Sequence, residues 1–323
     1  MDKQSLMKSG IRVVMCLAGI IGNNWLGISS LPKSMSQLRP SDVLFVNLAV
    51  SNLITNYLVD TLDILFTEKY IPVGNVFCSI RFFLPEFSET SSILTTMYIT
   101  VYWHQKLVGS LKRGGAPVRM DNFHVITVML TGSWTFALVL NIAHLFFVVK
   151  INENITLVEC VEELPSPEAG QAYKIVYITL ANVIPLIGIL YASIQITRTL
   201  LQNEKRMKKM GNGENSSAEQ NGDSTNNVSA VTKSKSHAKT GSLVRAAKSV
   251  VAVAVLFLIC WVIHLIVIVI SSFSSSEVIE DIESFVGASY TCTIPYIYLY
   301  GVQRLSCCRR TGRVMGHERT VTH

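Results

Sequence analysis

The stretch CSIRFFLPEFSETSSILTTMYITVYWHQK, residues 78–106, decides how this chain folds. It opens on Cys78 and carries Arg81, Glu86 and Glu89 into an otherwise apolar run. It closes on the aromatic and basic string Tyr102-Trp103-His104-Gln105-Lys106. Read as one helix, it joins an extracellular staple, a polar interior and a cytoplasmic end.

Working outward, 49% hydrophobic residues, 15% charged residues and a mean hydropathy of +0.38 over 323 residues exclude an ordinary soluble globular chain. A bilayer crossing takes roughly 20 helical residues with few charges. Seven such windows occur, near 11–31, 43–66, 77–103, 123–149, 173–201, 249–273 and 284–302. Backbone exposed to lipid must satisfy its own hydrogen bonds, so each window is expected to be a helix. The expected fold is an all-α membrane protein: an extracellular stretch over 1–10, a seven-transmembrane helix bundle over 11–302 and a tail over 303–323.

The formal charge of +6 is informative through its distribution across the membrane rather than as a sign of nucleic-acid binding. With the amino terminus outside, the cytoplasmic connections and tail hold 21 of the 28 Lys and Arg residues. Most acidic residues then fall on the other side. This gives an extracellular amino terminus and a cytoplasmic carboxyl terminus, although Lys3, Lys8 and Arg12 before the first window pull the other way. The same basic start fits a signal peptide, but the apolar run is too long and lacks a small-residue cleavage site, so it reads as a retained first span.

Cys78 and Cys160 both fall on the oxidising side, and a disulfide between them is expected. Cys16, Cys260 and Cys292 lie inside spans. Cys307 and Cys308 follow the seventh span on a short amphipathic stretch and are candidates for palmitoylation. Asn154-Ile155-Thr156 is a glycosylation acceptor on the outer side. The polar residues 203–245 are expected to be a disordered third cytoplasmic loop.

Intramembrane charge is costly and usually faces a cavity. Glu86 and Glu89 share one helical face, with Arg81 about a turn and a half above. Two readings are open: these groups line a ligand pocket, or Arg81 neutralises Glu86 or Asp63 as a purely structural pair. Pro85 should loosen the helix locally. His144 either lines a pocket or sits at the interface. Trp261 and His264 either flank a ligand or pack. Asn23 and Trp134 read as packing residues.

Several motifs are similar to those of the rhodopsin-like G protein-coupled receptors. Asn47-Leu48-Ala49 resembles their second-span string, with Asn52 where an aspartate that helps bind sodium commonly stands; an amide lacks that charge. Pro185, Pro295 and Tyr298 match further positions, whereas Ser193 and Ile263 depart from the pattern. The place of the usual acidic-arginine-tyrosine switch is taken by Tyr102-Trp103-His104. With Gln105 to Arg113, this end resembles the type 1 vomeronasal receptors and the fish olfactory receptor class A-like family. That resemblance implies a chemosensory receptor in the plasma membrane of a sensory neuron, detecting a small-molecule odorant or pheromone and activating a heterotrimeric G protein. It implies a pocket drawn from Arg81, Glu86, Glu89, Asp63, His264 and Trp261, and a G protein-facing end with Trp103, His104 and Lys106. Neither a cofactor nor a metal is expected, and nucleotide loops, zinc spacings and nucleophile elbows are missing, which argues against an enzyme. The rival reading is a transporter or channel lined by the intramembrane acids; an odd number of spans and the lack of an inverted repeat count against it.

Overall fold

A computed structural model describes residues 3–32, 34–62, 64, 74–112, 118–154, 157–162, 164–214, 227–271, 282, 285–286 and 288–300. Asp63, Cys307 and Cys308 lie outside them, as does the side chain of Asn154.

Helix α1 spans Lys3–Ser30, and a short 3-10 turn, Met35–Gln37, leads to α2, Pro40–Ile54, which continues through a π turn, Thr55–Asp60. Pro40 occupies the first helical turn, where its missing N–H costs nothing. The Asp42 carboxylate accepts from the Arg39 backbone N–H at 3.1 Å and from its guanidinium at 2.9 Å and 2.8 Å. The π turn displaces the Asn56 carbonyl from the regular ladder, and the Thr61 hydroxyl at 3.1 Å and the Cys16 thiol at 3.3 Å donate to it instead.

Helix α3 covers Asn75–Lys112, 38 residues, or roughly 57 Å at 1.5 Å per residue. A 3-10 turn, Arg119–Asp121, precedes α4, which runs Phe123–Asn141 and then Ala143–Phe147. Helix α5 begins at Pro167–Tyr177, widens into a π turn at Ile178–Val183 and continues over Ile184–Glu214. Pro185 lies two residues past the end of that turn. Its ring excludes the carbonyl four residues back, and the wider turn accommodates the loss. Helix α6 spans Asn227–Ser271, and α7 is described over 288–300.

Two expectations change. The stretch 203–245 is helical on both sides, through Glu214 and again from Asn227, and residues 215–226 lie outside the described residues. Extending an established helix needs no new nucleus, and Glu204, Lys205, Arg206 and Met207 are good helix formers. Between α4 and α5, where the seven windows leave a connection, β1 (Val148–Asn154) pairs antiparallel with β2 (Leu157–Glu162). Lys150 stands opposite Cys160 in this hairpin. The Cys78–Cys160 disulfide ties this hairpin to the start of α3.

Among the described residues, five helices are long and apolar enough to cross a membrane: Met7–Ser30, Pro40–Asp60, Phe123–Phe147, Pro167–Arg206 and Ala247–Val267. Helix α3 is more polar because it is the central one, packed against α2, α4, α5 and α6, and needs no lipid-facing belt. Its Ser88, Thr90, Ser91, Ser92, Thr95, Thr96 and Thr100 are buried, whereas Ile28, Val139, Phe146, Ile187 and Ile259 are exposed. Polar groups inside and apolar groups outside invert the soluble pattern and suit a bundle in lipid. Leu48, Ile93, Ile126, Ile189, Phe257, Trp261 and Tyr298 belong to the apolar core between the helices.

Candidate functional site

The polar interior falls into two layers. The lower one joins α1, α2, α3 and α7 through amides. Asn52 donates to Asn23 Oδ1 at 3.1 Å and accepts from the Ser92 hydroxyl at 2.8 Å. Asn23 donates to Asn56 Oδ1 at 3.2 Å and to the Thr291 carbonyl at 3.0 Å, and Asn56 donates to the Thr291 hydroxyl at 3.2 Å. Asn47 bridges on the far side, donating to Thr95 Oγ1 at 2.8 Å and accepting from Trp134 Nε1 at 2.9 Å. Trp134, read as packing, is thus also a hydrogen-bonded tie between α2 and α4.

The upper layer lies between this network and the disulfide end. Glu86 Oε2 is 3.0 Å from His144 Nε2, and the Tyr173 hydroxyl is 2.9 Å from the same nitrogen. Tyr173 also donates to the Leu140 carbonyl at 3.1 Å. Three helices, α3, α4 and α5, therefore meet at one imidazole, 3% exposed at its side chain. One turn deeper on α3, Glu89 Oε1 is 3.8 Å from His264 Nε2 on α6. The His264 ring stands edge-on to Trp261 with centroids 4.9 Å apart, and Trp261 in turn packs with Phe257 and Tyr290. The side chains of Glu86 and Glu89 remain 34% and 21% exposed, so neither carboxylate is fully enclosed by the bundle.

Of the sequence-selected residues, the fold brings Glu86, Glu89, Trp261 and His264 together. Of the two acids offered as structural partners of Arg81, Asp63 lies outside the described residues and Glu86 is in contact with His144. Arg81 lines a small apolar recess against α2 with Leu58, Val59 and Leu62, away from α4 and α6. Tyr173 was missed: a tyrosine near a helix start carries no signal of its own. Among the described residues no three His, Cys, Asp or Glu side chains gather as a metal site would require.

At the opposite end, Trp103 is 8% exposed, buried in the core with its ring edge-on to Tyr102. It does not form an outward-facing surface with His104 and Lys106. Lys106 Nζ donates to Asp121 Oδ1 at 2.7 Å, and the Tyr102 hydroxyl donates to the same oxygen at 3.2 Å. The end of α3 is thereby fastened to the turn before α4.

A model of the seven-transmembrane receptors of the rhodopsin family matches residues 23–298, from the amide cluster of α1 to Tyr298. The chain belongs to that family. It is a multi-pass membrane receptor that signals through a heterotrimeric G protein in response to a ligand. Receptors of this family are not enzymes. No curated protein sequence matches the chain at a significant level. In this receptor the second-span position that commonly carries an aspartate is the amide of Asn52, with its donor and its acceptor both engaged by protein partners.

Proposed function

We propose that this receptor is chemosensory, of the type 1 vomeronasal and fish olfactory class A-like branch, and that it detects a small-molecule odorant or pheromone at the plasma membrane of a sensory neuron. The observation that carries the reading is the pair of partly exposed acids on α3, Glu86 against His144 and Glu89 near His264, with Trp261 packed on the His264 ring. A partly exposed carboxylate pair inside a membrane bundle is expensive to keep and marks a place where something binds. The string Tyr102-Trp103-His104 supports the branch.

The amino terminus and the disulfide end face outside and the carboxyl terminus faces the cytoplasm. Asn154 carries a glycan on the outer side. Ligand binding between α3, α5, α6 and α7 favours a conformation in which the opposite end opens, exposing His104, Lys106 and, once released from the core, Trp103 to the G protein. A preference of a few kcal/mol for that conformation suffices to shift the population. Cys307 and Cys308 anchor the tail to the membrane by acylation.

The test is ligand-dependent nucleotide exchange on a G protein in membranes holding the full chain, screened with amines, carboxylic acids and steroids. Activation by any of these classes supports the assignment. Flux of a charged solute through proteoliposomes without nucleotide exchange would sink it in favour of a transporter.

A further inference from the structure

We infer that the outward face of α1 docks a second copy of this chain, the two copies meeting about a two-fold axis along the membrane normal with Asn24 and Tyr57 of each bonded to the other. This goes beyond the chemosensory reading and stands independently of it. The adjacent amides Asn23 and Asn24 cannot both face the bundle, because consecutive residues of a helix diverge by about 100°. Asn23 is fully buried and donates to Asn56 at 3.2 Å. One position further on each segment, Asn24 and Tyr57 form a second rung on the outside.

That outer rung has bonding capacity to spare. Asn24 Nδ2 donates to the Ile20 carbonyl at 2.8 Å and to the Tyr57 hydroxyl at 3.1 Å, which fixes the amide's orientation and leaves Oδ1 as an acceptor. Tyr57 accepts there and still has its own proton to give. Among the described residues neither group has a further partner. Tyr57 is 49% exposed. The span of α1 runs Met7–Ser30, so Asn24 lies roughly 9 Å from its nearer end and roughly 25 Å from its farther one. Lipid hydroxyls and ester carbonyls stay at headgroup level, outside the hydrocarbon. A polar group at this depth finds its partners on another helix.

The surface around the rung has the spacing of a helix–helix seam. Met7, Gly10, Val14, Leu17, Ile21, Asn24 and Ile28 follow one another in alternating steps of three and four residues. The five apolar side chains among them are 52% to 70% exposed, and a Cβ on Gly10 would meet nothing within 4 Å. A single amide in such a seam fixes register and partner number. The bilayer holds two copies of one chain parallel and at equal depth, so identical residues meet. Each copy then brings one spare acceptor and one spare donor, and a two-fold arrangement uses all four. A foreign helix would need its own matching pair at this depth; a second copy supplies it by symmetry.

The experiment reconstitutes the full chain, one fluorophore per molecule, in phosphatidylcholine vesicles with and without cholesterol and counts photobleaching steps over a series of protein-to-lipid ratios. Thermal midpoints are read in parallel. The parent is expected to give two-step spots as the ratio rises. Asn24→Leu is expected to raise the ratio needed for half dimer roughly ten-fold, through loss of the bonds across the axis. Ile21→Trp, which adds bulk to the seam and leaves the rung within each copy intact, is expected to do the same at the parental thermal midpoint. Val139→Trp on the exposed face of α4 is the control and is expected to dimerise like the parent. The inference is overturned if the parent gives single steps at every ratio, if either Asn24→Leu or Ile21→Trp dimerises as the parent does, or if Val139→Trp disrupts as much as Ile21→Trp. A single-step parent whose thermal midpoint rises with cholesterol, an effect lost in Tyr57→Phe, also overturns it and gives the face to a sterol. None of these outcomes bears on nucleotide exchange, so the chemosensory reading stands or falls separately.

Discussion

Asn52 on α2 donates its amide to Asn23 on α1 at 3.1 Å, and its own carbonyl accepts from Ser92 on α3 at 2.8 Å, so one uncharged side chain joins three helices. In lipid these groups have no water to fall back on. Asn52→Ala leaves the Asn23 oxygen and the Ser92 hydroxyl short of partners, at a cost of about 1–3 kcal/mol. The expected result is a lower unfolding temperature in detergent at a fixed scan rate. An unchanged midpoint would show that the network is slack.

The close approach of α1 to its neighbours gives a steric prediction. A Cβ on Gly19 would come within 2.7 Å of the Asn56 amide, and one on Gly22 within 2.8 Å of the Pro295 ring. Neither neighbour can retreat: Asn56 is held by hydrogen bonds and Pro295 is a rigid ring in α7. Gly19→Val and Gly22→Val are each expected to destabilise by about 1–3 kcal/mol and to lower the amount of folded receptor recovered from membranes. Gly132, with nothing within 4 Å of its added Cβ, serves as the control, and Gly132→Ala should be recovered at the parental level.

Asp121 holds both Tyr102 and Lys106. Its carboxylate and the lysine are each about a third exposed, which screens the pair and limits it to about 0.5–1 kcal/mol. If the clamp belongs to the resting conformation, Asp121→Asn raises ligand-independent nucleotide exchange roughly two- to five-fold. Basal exchange equal to or below the parent's would show that the clamp does not favour rest.

The Cys78–Cys160 bond closes a sequence separation of 82 residues, for which chain entropy gives about 4 kcal/mol. Cys78→Ser and Cys160→Ser are expected to reduce surface receptor to the same low level, and the double variant to match either single one. A double variant that is clearly worse than both would mean that one cysteine has a second role.

Hydropathy and residue pairing across the membrane were legible in the chain itself. The bilayer imposes a length and an apolar character on each span, so seven windows and a helical bundle could be read from local composition alone. The Cys78–Cys160 bond followed because a seven-span topology puts both cysteines on the oxidising side. Tyr102-Trp103-His104 likewise marks a departure from the common switch in the sequence itself. Glu86 and Glu89 were conspicuous because charges within a span are rare.

What the tertiary structure decided was who meets whom. Glu86 faces His144, 58 positions away in sequence, because the rotation and depth of α3 and α4 bring those two faces together, and neither helix's hydropathy encodes that angle. Arg81, the nearest cation along the chain, points toward α2 instead. Trp103 turned inward for the same reason, and the helices reached into the polar stretch between the fifth and sixth spans because extension from a formed helix is cheap while composition sees only polarity. Local sequence sets which segments enter the membrane; the partners of their polar side chains are set by packing between helices, a long-range outcome that only the folded bundle contains.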